Sequence, residues 1–163
     1  MNKLTLLVTS TLFSISTSFA AQVTSTIYAT NDATIPIGEV VFLDTSYGLL
    51  ITPKLTTLPP GLHGFHLHQR ANCGDHGTSA GGHYDPMNTN SHQGPYGEGH
   101  LGDLPVLYVD DKGSANTATL APRLKTSDLK GLSVMIHADG DNYSDTPPLG
   151  GGGARMACGT LPE

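Results

Sequence analysis

Gly61-Leu62-His63-Gly64-Phe65-His66-Leu67-His68 decides how the chain is read. Successive side chains of a β-strand point to opposite faces, so His66 and His68 share one face while Phe65 and Leu67 share the other. Two imidazoles side by side, backed by an apolar face, make half of a metal site carried on a sheet. The same alternation in Gly131-Leu132-Ser133-Val134-Met135-Ile136-His137 sends Val134 and Ile136 into a core and turns His137 outward with Met135. A third imidazole thus comes from a second strand.

Working outward, the remaining chain keeps this character. The full sequence has 20 glycines, 11 prolines and no tryptophan, and no long stretch repeats apolar positions at helical spacing. Strands are predicted over Gln22–Ala29, Gly38–Asp44, Tyr47–Leu55, Gly61–Gln69, Leu104–Asp110, Ser114–Leu120, Gly131–Ala138 and Ala154–Leu161. Eight short strands predict an all-β sandwich or barrel. Two segments, Arg70–Gly102 and Asp139–Gly153, are rich in Gly, Asp and Asn or Pro and have no strand character. Loops of that length inside a small domain are expected to be functional.

The first loop holds four of the eight histidines. His83, His92, His100 and Asp103 fall within it or just past its end, and three imidazoles with one carboxylate suit a closed tetrahedral zinc site. A lone histidine at any of these places would be an ordinary surface residue; grouped on paired strand positions and in one loop, they point to converging ligands. His63 lies on the core-facing parity and reads as structural, and His76 has no matched role.

The first 20 residues carry one charge, Lys3, followed by the mostly apolar Leu4–Phe13 and by Ser18-Phe19-Ala20, small at the positions a signal peptidase reads. They are expected to be a secretory signal peptide cleaved after Ala20, leaving 21–163 as a single domain, because the apolar run is too short to span a bilayer. The formal net charge is −6, and the domain becomes more acidic still once Lys3 is lost, which argues against nucleic acid as a partner. Cys73 and Cys158 are the only cysteines. In an oxidising compartment such a pair favours one disulfide, with free thiols or metal ligation as the alternatives.

Taken together, Gly64-Phe65-His66-Leu67-His68, Gly81-Gly82-His83-Tyr84-Asp85-Pro86, His92-Gln93-Gly94-Pro95, Gly99-His100-Leu101-Gly102-Asp103-Leu104-Pro105, Met135-Ile136-His137, Gly140-Asp141-Asn142-Tyr143-Ser144-Asp145, Leu149-Gly150-Gly151-Gly152-Gly153-Ala154-Arg155 and Ala157-Cys158-Gly159 run in the order found in periplasmic bacterial copper/zinc superoxide dismutases. The resemblance covers nearly the whole domain. It implies an eight-stranded Greek-key β-barrel or sandwich, immunoglobulin-like, with two long functional loops. It further implies one copper and one zinc ion per subunit. Copper would take His66, His68, His83 and His137, and zinc would take His83, His92, His100 and Asp103, with His83 shared. Asp141 would orient one histidine of each metal, Arg155 would guide the anionic substrate, and Cys73 would pair with Cys158. The implied reaction is dismutation of superoxide to dioxygen and hydrogen peroxide by a copper redox cycle, with His83 also carrying a proton, in a periplasmic protein that is a possible homodimer without a membrane anchor.

Two positions depart from the family: Ser91 replaces a lysine common before the zinc histidine, and Asp139 replaces the glycine usual after the copper histidine. Substrate capture by this acidic domain is therefore expected to lean on Arg155, with Arg70 as a second cation. The competing readings are an exported copper and zinc carrier with little catalysis, and a secreted structural domain whose histidines are incidental.

Overall fold

The computed structural model describes residues 20–163, so the leader expected at 1–20 lies almost wholly outside the described residues. Among the described residues nine strands form: β1 (Gln22–Ala29), β2 (Asp32–Thr45), β3 (Gly48–Leu55), β4 (Gly61–His63), β5 (Phe65–His68), β6 (Leu107–Val109), β7 (Thr119–Ala121), β8 (Ser133–His137) and β9 (Arg155–Thr160). Seven of them make one curled sheet in the order β5-β8-β9-β1-β2-β3-β7, and β4 pairs with β6 in a second. All pairings are antiparallel. The crossovers β5 to β8, β9 to β1 and β3 to β7 give the Greek-key β-barrel. Ile27, Val40, Phe42, Leu49, Ile51, Phe65, Leu67, Val134 and Ile136 fill its interior, each at most 1% exposed.

Where strands differ from expectation, a local cause is visible. The stretch expected as one strand over 61–69 breaks at Gly64, so that β4 joins one sheet and β5 the other. Gly64 donates its N–H to Asp139 O (2.8 Å) and accepts His137 N–H (2.9 Å), so the break is itself hydrogen-bonded to the strand that brings the third imidazole. β2 starts at Asp32 rather than Gly38 because Pro36 lies opposite a register shift between Ile27 and Tyr28, a bulge that accommodates a residue with no N–H.

Val134 and Ile136 enter the core as the alternation predicts. Met135, expected to point out with His137, is on that opposite face but is fully buried, because the first long loop covers it. Its neighbours are Ala80, Cys73 and Cys158, in a small satellite cluster under that loop.

Candidate metal centre

β5 and β8 are direct neighbours, pairing His66 with Met135 and Phe65 with Ile136. The imidazoles of His66, His68 and His137 therefore start from one sheet face. The first long loop returns to the same strand, where isolated bridges pair His68 with His83 and His66 with Asp103. Leu67 seals this contact with backbone bonds of 2.8 Å from its N–H to Gly102 O and to its carbonyl from Tyr84 N–H. A side chain at Gly102 would strike Leu67 O at 2.4 Å, so only glycine permits that approach.

Seven predicted ligands come together, all at most 7% exposed. His66, His68, His83 and His137 form one group of donor atoms within 4.8 Å of one another, and His66, His83, His92 and Asp103 form an adjoining group. His100 stands beside the second group, with Nδ1 3.3 Å from Asp103 Oδ1 and its ring 5.4 Å from that of His83. His66 falls in both groups by distance, and with its Nε2 held by Asp141 its Nδ1 is the atom left for a metal. His83 has its Nδ1 3.0 Å from Asp103 Oδ1 and stands between the two groups.

Four of the rings are oriented from behind. The Asp141 carboxylate, fully buried, accepts His66 Nε2–H at Oδ2 (2.7 Å) and His92 Nε2–H at Oδ1 (2.8 Å). His68 Nδ1 faces Gly81 O at 2.9 Å, and His137 Nδ1 faces Gly153 O at 3.2 Å. These contacts leave His66 Nδ1, His68 Nε2 and His137 Nε2 buried with no hydrogen-bond partner, while His92 Nδ1 faces the Asp103 carboxylate at 3.0 Å. Uncompensated burial of three nitrogens is costly unless something binds them, and copper and zinc fit a donor set of imidazoles and one carboxylate.

Electrostatics support this. Burial pushes His66 down to about 3, His68 to about 2 and His137 to about 4, so all three are neutral with lone pairs available. Burial also lowers His83. Burial acts in the same sense on His92, but Asp103 and Asp141 on either side outweigh it and raise the ring to about 9. Without a metal, a proton thus occupies the space between two carboxylates. Burial alone would raise Asp103 and Asp141, yet their histidine partners hold both well below the usual carboxylate range.

At the rim, Cys73 and Cys158 form a disulfide that ties the first loop to β9. Arg155, half-buried at the start of β9, donates to Gly77 O and Gly81 O, each at 2.6 Å. Gly81 O is the acceptor facing His68, so one carbonyl joins the arginine to a predicted copper ring. Arg70 lies exposed on the same turn and donates Nε–H to Ser79 O (2.9 Å). Ser91 Oγ donates to Asp145 at 3.2 Å. Asp139 is exposed, its carboxylate against Gly153, next to the carbonyl that faces His137. His63 is structural as expected, with its ring nitrogens 2.8 Å from His137 O and Pro59 O, and His76 stays exposed against Thr30 O.

Residue types gave no advance sign of the backbone acceptors Gly81 O and Gly153 O, nor of Asp145, whose carboxylate accepts His92 N–H at 3.1 Å. Gly150 is equally specific: a Cβ there would lie 2.0 Å from Asp141 Oδ1 and 2.7 Å from His92 Nε2. The glycine run Gly150–Gly153 was its sole signal.

Adjoining buried donor groups on a Greek-key barrel, covered by one disulfide-tethered loop, define an all-β protein with a two-metal centre. The family model for copper/zinc superoxide dismutase matches residues 37–161, and the chain belongs to that family. It is similar to a copper/zinc superoxide dismutase of Legionella pneumophila, with 60% identity over 161 residues and 99% of each chain covered. A second relative, from Photobacterium leiognathi, is 45% identical with 99% of each chain covered. Among solved structures, the copper/zinc superoxide dismutase of Brucella abortus aligns with a TM-score of 0.82 and 42% identity, covering 86% of this chain and 99% of that one. The solution structure of the monomeric enzyme from Salmonella enterica aligns at 0.72 and 47%, covering 87% and 99%. As a member of the family, the protein is an enzyme that dismutes superoxide with one copper and one zinc ion.

Proposed function

We propose that His66, His68, His83 and His137 hold the copper, that His83, His92, His100 and Asp103 hold the zinc, and that His83 joins the two. The observation that carries this division is the pair of adjoining buried donor groups. In the first, His66 Nδ1, His68 Nε2 and His137 Nε2 have no hydrogen-bond partner; in the second, His92 Nδ1 lies 3.0 Å from Asp103 Oδ2. When bound, copper supplies one-electron cycling, by which one superoxide is oxidised to dioxygen and a second is reduced to peroxide, while zinc supplies charge without redox chemistry.

The chain's own residues do the rest. Arg155 attracts and orients the anion; its carbonyl partners Gly77 and Gly81 fix the guanidinium at the rim. His83 carries a proton on Nε2 in one half of the cycle and gives it to the departing peroxide, while its Nδ1 stays on the zinc side. A second proton from solvent completes hydrogen peroxide. Asp141 keeps protons on His66 Nε2 and His92 Nε2, so that each Nδ1 is free for a metal. A carrier needs neither a rim arginine nor a proton relay, and this favours catalysis over storage.

The site is exported, on this reading, by cleavage of 1–20 and works in the periplasm against superoxide outside the cytoplasm. The disulfide supports an oxidising compartment, and no described helix is long and apolar enough to cross a membrane. N-terminal sequencing of the protein from the periplasmic fraction should begin at Ala21. Metal analysis of His137→Ala and His100→Ala tests the division: the first should lose copper and keep zinc, and the second should do the reverse. Loss of both metals equally in both variants would contradict it.

A further inference from the structure

Arg123 belongs to the connection between β7 and β8, outside both long loops, and no role in the centre was expected of it. It is half-buried, and its two terminal nitrogens reach into the first loop: Nη1 donates to Gly97 O, and Nη2 donates to Gly99 O at 2.8 Å. The Gly99 carbonyl belongs to the peptide group whose N–H is that of His100. That N–H donates to Ser91 O at 2.9 Å. The peptide plane from which His100 hangs is therefore held at both ends, by Arg123 on its carbonyl and by Ser91 on its amide.

His100, like His83, has no partner behind its ring and gains from such a hold. His66 and His92 lean on Asp141, His68 on Gly81 O and His137 on Gly153 O. Among the described residues, the side-chain hydrogen bond of His100 goes to Asp103 alone, through the Nδ1 that faces the zinc group. Its orientation must come from its backbone. The surrounding segment has little slack to supply it otherwise: Gly99 packs so closely that a Cβ would lie 2.2 Å from Ser91 O, and Glu98 N–H is held by Gln93 Oε1 at 3.2 Å. A guanidinium spans two carbonyls in one fixed plane, which a lysine ammonium cannot do.

We infer that Arg123 is a positioning residue for the zinc half of the centre, fixing the Gly99–His100 peptide so that His100 is presented to the metal. The inference rests on the assignment of His100 to zinc. Partners of this kind typically change metal affinity by roughly ten- to a hundred-fold when removed.

The test is zinc affinity of the metal-free, disulfide-bonded protein by competition with a chromophoric chelator, for Arg123→Ala, Arg123→Lys and the control His100→Ala. Copper(I) affinity and the melting temperature of each metal-free protein are measured alongside. Both Arg123 variants should bind zinc roughly ten- to a hundred-fold more weakly with copper(I) affinity retained. Cobalt placed in the zinc site should show a shifted visible spectrum in both. Unchanged zinc affinity in both Arg123 variants, beside a clear loss in His100→Ala, would overturn the role of Arg123. Equal losses of zinc and copper that track a lowered melting temperature would also overturn it, since they report general loosening. If His100→Ala itself binds zinc normally, the ligand assignment fails and the inference falls with it.

Discussion

Replacing Asp141 by asparagine should damage the copper side more directly than the zinc side, although the carboxylate touches a histidine of each. Oδ1 accepts two donors, His92 Nε2–H at 2.8 Å and Tyr143 N–H at 2.7 Å, whereas Oδ2 accepts only His66 Nε2–H at 2.7 Å. Asparagine has one oxygen, and it should settle where two donors await it. Its NH2 then faces His66 Nε2, donor against donor, in a site with no exposed surface. His66 relieves this by moving its proton to Nδ1, the atom otherwise free for copper. Copper affinity should fall roughly ten- to a hundred-fold, or about 1.4 to 2.8 kcal/mol, with a smaller fall for zinc. Competition with chelators measures both affinities, and nitrogen-detected NMR of the copper-free, zinc-loaded protein reports the His66 tautomer. Unchanged copper affinity with His66 still protonated at Nε2 would show that the Asp141 carboxylate does not set the His66 tautomer.

Gly150→Ala should act on the same carboxylate by steric means: with a Cβ only 2.0 Å from Asp141 Oδ1, both metals should bind more weakly and the melting temperature of the metal-loaded form should drop, and normal metal content with an unchanged melting point would count against it. The metal-free fold should weaken in acid. His66, His68 and His137 have folded values of about 3, 2 and 4, below the ordinary 6.5, so protons favour the unfolded chain as pH falls below 6.5; at pH 5 the loss is about 2 kcal/mol for each, readable by urea unfolding across pH, and a flat profile from pH 7 to 5 would contradict it. His92 runs the other way: its value of about 9 means that zinc must displace a proton, so calorimetry in buffers of different ionisation enthalpy should show about one proton released at pH 7 and none near pH 11. Arg155→Ala should slow dismutation and flatten its dependence on ionic strength, because an acidic chain with Asp139 near the rim has few cations to draw superoxide inward; an unchanged rate at low salt would remove Arg155 from that role.

The strand-borne histidines were legible because strand alternation is local: the parities of His66, His68 and His137, proposed for copper, follow from residues adjacent in sequence. The half proposed for zinc was legible only as a concentration of ligand types, since His83 and Asp103 reach β5 through bridges to His68 and His66 that no local pattern encodes. Asp141 and Arg155 came from family resemblance, being single loop residues of ordinary type. Gly64 was read as part of a continuous strand, since one glycine does not reveal that its two sides join different sheets. Met135 shows the same limit: alternation gives a face, but whether a loop covers that face is a tertiary fact.

If activity resides in a copper site completed by zinc and a shared histidine, it must follow the metals. Stopped-flow decay of superoxide can show this on the exported, disulfide-bonded protein as isolated, after chelator stripping, and after reloading with copper and zinc. Catalysis is expected in the first sample, none in the second and recovery in the third, with metal analysis giving one copper and one zinc per chain. Full activity in the stripped, metal-free sample would rule out a metal-dependent reaction.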